Sequence, residues 1–364
     1  MHGTNPIAFA IPVFLLAIGL EVWVAKKRRA SVYRFYDAIT DLSCGIGNQV
    51  TGLVLLSLEL ALFTWVYEHA SLIHWASGSP WPWVLAFVGV DFFYYWWHRH
   101  SHEVNFMWAA HIVHHQSEDY NLAVALRQAW FTRITTIPYY LPLAFLGVSP
   151  LALGASIAVS LLYQFWIHTE LINRIDPFEW ILNSPSHHRV HHATNPEYLD
   201  KNYGAILITW DRMFGTFEPE RAPCTYGITK PFGSWNPVWA NFHYFGDIWD
   251  LAKRCDRFSD KLLAPFRRPG WDPKTRTVEV PSHIPREQFH KFEPPPVSRG
   301  LRRYIMLQFA LLSLGVVALL LWSSRLSTPQ VVAGITAVVL ATLAWGGLFE
   351  RKRWAVPLEV VRVV

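Results

Sequence analysis

The sequence predicts an all-α, polytopic membrane protein with a histidine-rich di-metal domain on its cytosolic side. Three observations carry that prediction. The 364 residues are 52% hydrophobic, and the apolar ones gather into long runs. Basic residues cluster at the ends of those runs. Of the 17 histidines, ten fall between 98 and 115 or between 187 and 192, many at helical spacing.

The first apolar run, 7–25, is long enough to cross a hydrocarbon core of ~30 Å at ~1.5 Å per residue. No positive residue precedes it and no A-x-A site follows, so it reads as an anchor rather than a cleaved signal peptide. Further runs cover 50–67, 82–97, 134–148, 150–168, 304–322 and 330–349. The run at 134–148 carries Pro138 and Pro142 and is expected to be kinked or partly re-entrant. Lys26, Lys27, Arg28 and Arg29 follow the first run. Placing them in the cytoplasm and counting onward puts His98, His168, Arg302, Arg303, Arg351, Lys352 and Arg353 on the same side. This map has seven spans and an external N-terminus. Trp81 and Trp83 then mark the outer interface of the third span, and Trp96 and Trp97 the inner one.

Between 174 and 300 the chain is polar. Within it Val238, Phe242, Phe245, Trp249 and Ala252 recur at helical spacing beside Lys253, Arg254 and Arg257. They predict either a helix lying in the membrane interface or an amphipathic helix packed on the domain. Residues 265–300, rich in proline, read as an irregular connector. The resulting division is 1–80 for N-terminal spans, 81–230 for the membrane-embedded and cytosolic histidine domain, 231–300 for the amphipathic and irregular segment, and 301–364 for a C-terminal transmembrane hairpin. Three scattered cysteines exclude a disulfide framework. The net charge of +5 comes without any recognised nucleic-acid module, which argues against nucleic acid as a partner.

His98 and His102 form H-x-x-x-H. His111, His114 and His115 form H-x-x-H-H, and His188, His191 and His192 form it again. Positions i, i+3 and i+4 share one helix face, so each motif is expected to aim its imidazoles at one point. Alone, His98 and His102 read more simply as interfacial histidines at a helix end. Three such motifs on one side of the membrane point to metal, and His168, at the end of the fifth run, adds a ninth ligand. Nine imidazoles exceed what one tetrahedral zinc takes, and they suffice for two metals that keep positions free for chemistry. His187 points off the face of the second triplet, and His100 lies opposite His98 and His102. His69, His74, His243, His283 and His290 have no partners and receive no role.

These boxes resemble the fatty acid hydroxylase/sterol desaturase superfamily. Its ether-lipid branch is the most similar in HHQSEDYNLAVALRQ (114–128), QFWIHTELIN (164–173) and the stretch from 184 to 220. The resemblance covers about 80–230 and implies a membrane oxidoreductase with two iron ions, O₂ and an external electron donor, tetrahydrobiopterin or a redox protein. It carries the iron ligands onto His98, His102, His111, His114, His115, His188, His191 and His192, with His168 as the additional one. Where some members have a further histidine, this chain has Gln164. His187, Gln164, Glu118, Asp119, Glu170, Asp200 and Asp211 are candidates to orient imidazoles or touch substrate; Asn121, Asn202 and Tyr203 follow them. The implied partners are a lipid substrate, the bilayer and an electron-transfer partner. The implied location is a bacterial inner membrane or the endoplasmic reticulum, with the histidines facing the cytoplasm. The same cage serves a lipid desaturase. A metal transporter would instead place ligands near the bilayer midplane on broken helices.

Overall fold

The computed structural model describes residues 7–279 and 284–363, so His283 lies outside the described residues. Fourteen α-helices follow one another with no strand among the described residues. Helices α1 (Ile7–Arg28), α2 (Phe35–Ala70) and α3 (Trp81–Glu103) come first. The short α4 (Asn105–Ala109) and α5 (Ile112–His115) carry the chain to α6 (Thr132–Phe145) and α7 (Pro150–Trp166). Then come α8 (Pro185–His191), α9 (Thr209–Phe214), α10 (Pro237–Arg254) and α11 (Phe258–Leu263). The chain closes with α12 (Arg299–Trp322), α13 (Thr328–Phe349) and α14 (Ala355–Val363).

Every predicted apolar run is helical. Among the described residues, α2, α12 with its continuation to Arg325, and α13 are long and apolar enough to cross a membrane. The 14 residues of α6, with Pro138 and Pro142 inside it, reach only ~21 Å at ~1.5 Å per residue and fall short of a hydrocarbon core of ~30 Å. Helix α2 is the main surprise. It begins at Phe35, well before the apolar run at 50, and its 36 residues reach ~54 Å. Its first turns bury Asp37, Asp41 and Ser43 against the histidine region, which is why hydropathy did not reveal them.

Two apolar clusters position the site. Phe63 and Val66 of α2, Ala86 and Val90 of α3, Tyr140 and Leu143 of α6 and Leu153 of α7 form one. There Gly89 allows close approach, since a Cβ on it would lie 2.5 Å from the Leu143 side chain. Tyr36 and Ile39 pack with Trp235, Ile305, Phe309, Trp345 and Phe349 in the other, which joins the start of α2 to α12 and α13. Helix α1 is held through the buried Glu21, whose carboxylate accepts from Leu122 N (2.8 Å), Tyr33 and Thr169. Trp81 and Trp83 are exposed. Trp97, expected at the inner interface, is instead buried: it donates to Thr135 Oγ1 (3.1 Å) and stacks on His98.

Candidate metal centre

The last turns of α3 carry His98 and His102, one turn apart. Box two lies on the four-residue α5 and the residue before it, His111, whose φ of −130° is not helical. Box three lies on α8, where the Ser184 side chain caps the helix through His187 N and Pro185 opens its first turn. His168 follows the end of α7.

Four of these histidines have their Nδ1 on a backbone carbonyl: His98 on Tyr203 O (2.8 Å), His114 on Arg127 O (3.0 Å), His168 on Gln164 O (2.7 Å) and His191 on Lys201 O (2.9 Å). A carbonyl only accepts, so each Nδ1 carries the proton and each Nε2 keeps its lone pair. This is the usual way a protein fixes a metal-binding imidazole.

The nine side chains gather in two groups. His98, His102, His111, His115 and His191 form one, and His114, His168, His188 and His192 the other; the donor atoms of each lie within 4.8 Å of one another. His115 of the first stacks on His192 of the second, with ring centroids 4.4 Å apart. The triplets therefore do not converge on single points, as their spacing led us to expect. On a helix, i and i+4 are ~40° apart while i+3 is ~100° from i+4. The i,i+4 pairs His111/His115 and His188/His192 each stay together, and the middle residues His114 and His191 cross to the opposite group. Each triplet bridges the two groups.

The donor set fits metal ions. Within the first group, His111 Nε2 lies 3.0 Å from His98 Nε2 and 3.1 Å from His115 Nε2. In the second, His168 Nε2 lies 3.2 Å from His114 Nε2 and 3.0 Å from His188 Nε2. Nitrogens at ~2.1 Å from one cation stand ~3.0 Å apart at right angles and ~3.4 Å apart at tetrahedral angles. His102, His191 and His192 bury their Nε2 atoms without any hydrogen-bond partner, a cost that a cation would remove. Burial pushes His114 down to about 4 and His191 to about 3, and takes His115 and His192 well below the usual imidazole range. All four are neutral at pH 7 and ready to ligate. A cavity of about 980 Å³ opens onto His102, His115, His191 and His192, between Trp108 and Tyr244.

The profile of the fatty acid hydroxylase family matches residues 83–216, which include all nine histidines. The chain is 40% identical to the alkylglycerol monooxygenase of Xenopus tropicalis over 351 residues, covering 96% of this chain and 78% of that protein. It is 38% identical to that of Homo sapiens over 97% of this chain and 80% of the relative. The chain belongs to the fatty acid hydroxylase family. It is a metal-dependent membrane oxygenase that oxidises lipid. No solved structure matches it.

In this family member the carboxylates nearest the boxes in sequence do not bond the imidazoles. Glu118 accepts from Phe292 N (2.6 Å), Asp119 pairs with Arg34 (3.0 Å) and Lys291, and Glu170 pairs with Arg286 (2.8 Å). All three fasten the connector at 284–297 across the site. Asp211 acts one step removed. Fully buried, it accepts from Tyr203 N, Gly204 N and Thr216 Oγ1, each at 2.7 Å, and so fixes the turn whose Tyr203 carbonyl holds His98. Asp200, in left-handed backbone (φ 58°), lines the cavity. Asn202 donates to His187 O (3.0 Å) and Glu218 O (2.7 Å), and Asn121 to Val32 O (2.7 Å). His187 lies outside both groups, 3.8 Å from Glu179. The Gln164 side chain turns back to Ser160 (3.0 Å), although its carbonyl holds His168. His100 bonds Tyr139 Oη at 2.7 Å.

Sequence reasoning missed Arg127 and Asp41. The buried Arg127 guanidinium donates to Val113 O (2.7 Å), Asp41 Oδ1 (2.9 Å) and Gln116 Oε1 (2.8 Å), while its own carbonyl holds His114. It grips box two from both sides. The one available signal was a lone charge in the apolar stretch LAVALRQAWF.

Proposed function

We propose that the five-histidine and four-histidine groups each hold one iron ion, and that the protein uses them with O₂ to insert oxygen into a C–H bond of an ether lipid. The observation that carries this reading is the division of nine imidazoles into two adjoining groups. Iron so held supplies reductive activation of O₂, with electrons from an external donor, a pterin or a redox protein. The chain's own residues do the rest. The carbonyls of Tyr203, Arg127, Gln164 and Lys201 hold the Nδ1 protons and keep four Nε2 atoms aimed inward. Asp211 and Arg127 steady the segments that carry two of those carbonyls. Trp108 and Tyr244 stand beside the histidines in the cavity through which a lipid carbon reaches His102 and His115, while Asp247, Arg254 and Arg268 make its outer part polar.

The ether lipid is chosen because the relatives at 38–40% identity are alkylglycerol monooxygenases. In this reading 81–230 is the oxygenase unit, flanked by membrane helices and closed by the C-terminal hairpin. The basic flanks of α1, α12 and α13 support a cytoplasmic position for the histidines. The test is product analysis with iron-loaded protein in nanodiscs, a reductant and ¹⁸O₂, supplied with alkylglycerol, acyl lipid or sterol. Labelled oxygen in oxidised alkylglycerol is expected. Oxidation of another lipid class alone would overturn the substrate, and unlabelled or absent product the reaction.

A further inference from the structure

Helix α10 meets three different surroundings. At about 100° per residue, Trp239, Phe242, Gly246, Trp249 and Lys253 fall within an arc of about 80°. Trp239, Phe242 and Trp249 are 49%, 46% and 64% exposed. Ala240, Asn241, Ile248 and Leu251 lie on the opposite side and are buried. Between the two, His243, Asp247 and Arg254 line the cavity that ends on the histidines, with Trp239 and Gly246 at its exposed edge and Ile248 and Leu251 at its buried edge. Helix α11 and the turn after it extend the apolar face with Phe258, Leu262 and Phe266, all more exposed than Phe242.

The ends of neighbouring spans fix the height of this face. Ser234 Oγ and Trp235 N donate to Glu350, the residue that follows α13, at 2.6 and 2.7 Å. A Cβ on Gly346, in the last turn of α13, would lie 2.5 Å from Trp235 O, so the two backbones touch there. Thr40, near the start of α2, donates to Trp235 O at 3.4 Å. Tyr244 Oη donates at 2.7 Å to Asn105, just beyond the end of α3. An exposed aromatic face at the level where the apolar α13 ends is suited to the bilayer surface. The charge agrees: Lys253 Nζ lies 5.5 Å from the Trp249 ring, and Arg257 and Lys261 follow at the start of α11 and within it.

We propose that α10 and α11 lie in the plane of the membrane interface, with Trp239, Phe242, Trp249, Phe258 and Leu262 at the boundary of headgroups and acyl chains, and that lipid reaches the histidine cavity from that leaflet past α10. The placement stands without the oxygenase reading; the access route rests on it. One side of α10 is solvated by lipid and the adjacent side faces the cavity. A substrate therefore crosses only the width of one helix without leaving the interface.

The test uses the full chain in phosphatidylcholine nanodiscs doped with phosphatidylglycerol. Spin labels are attached at Trp249→Cys, at Leu262→Cys and, as a control, at Lys274→Cys in an exposed turn; the native Cys44, Cys224 and Cys255 are buried. Labels at 249 and 262 are expected to relax more with O₂ than with a water-soluble nickel chelate, and the label at 274 the reverse. Labels at 249 and 262 as accessible to nickel as the control would overturn the placement. These readings need no turnover, so they stand apart from any failure of the activity. The double variant Trp249→Ser, Leu262→Ser is expected to raise KM for bilayer lipid about tenfold with kcat unchanged. An unchanged KM would overturn the access route.

Discussion

Replacing Arg127 by lysine is expected to cost about 3–6 kcal/mol of stability, although charge and approximate length are kept. The guanidinium makes three hydrogen bonds at once, to Val113 O, Asp41 and Gln116, at 2.7 to 2.9 Å. Its side chain is 2% exposed and that of Asp41 0%. A lysine ammonium is a single point on a flexible stem, and placed on Asp41 it leaves the other two acceptors behind. Hydrogen bonds to a charged donor contribute about 1.5–3 kcal/mol each, and two are lost. Water cannot replace them in a buried site, so relaxation recovers little. The assay is reversible unfolding in mixed micelles of sodium dodecyl sulfate, with Arg257→Lys as an exposed control. A second arm removes both charges, in Arg127→Met with Asp41→Leu. That pair is expected to lie closer to wild type than either single change, because a lone buried charge costs more than an absent pair. An Arg127→Lys protein within about 1 kcal/mol of wild type would refute the clamp.

His114→Ala and His191→Ala are each expected to abolish lipid oxidation at normal expression, since these two residues cross between the groups and nothing beside them can take their place. His100→Ala loses one hydrogen bond to Tyr139, about 1 kcal/mol, and keeps its activity; oxidation assays at matched protein levels decide. Asp211→Ala strands two backbone N–H groups and a hydroxyl, for about 3–6 kcal/mol, and releases the Tyr203 carbonyl from His98. Iron affinity should fall with it by about 10–100-fold, measured by competition with a chelator. A reporter fused after Val364 is expected in the cytoplasm, and an external one would invert the topology.

The histidine boxes were legible because i,i+4 spacing brings side chains together whatever the surrounding fold. Their division into two groups was not. It joins the middle residue of each triplet, about 100° from its i+4 neighbour, to histidines that come from elsewhere in the chain. The side chains that support the site were hidden for a different reason. Glu118, Asp119 and Glu170 stand next to boxes in sequence, yet they turn away from the imidazoles to meet Phe292 N, Arg34, Lys291 and Arg286. The groups that do hold the imidazoles are backbone carbonyls, which leave no mark on composition. Asp41 sits on polar turns of α2 outside the apolar run, and its partner lies 86 residues away. The amphipathic pattern at 238–252 gave the helix α10 correctly, while its contacts with Glu350 and Asn105 left no mark in the sequence.

Metal counting tests most directly whether the nine imidazoles hold two iron ions. Protein expressed in iron-supplemented medium, purified and analysed by plasma mass spectrometry, is expected to carry two irons per chain, with ⁵⁷Fe Mössbauer spectra resolving two sites of unequal coordination for the five- and four-histidine groups. His111→Ala and His188→Ala, one from each group, should each remove one spectral component before the other. A single tightly bound zinc, with iron unable to restore oxidation, would contradict the account.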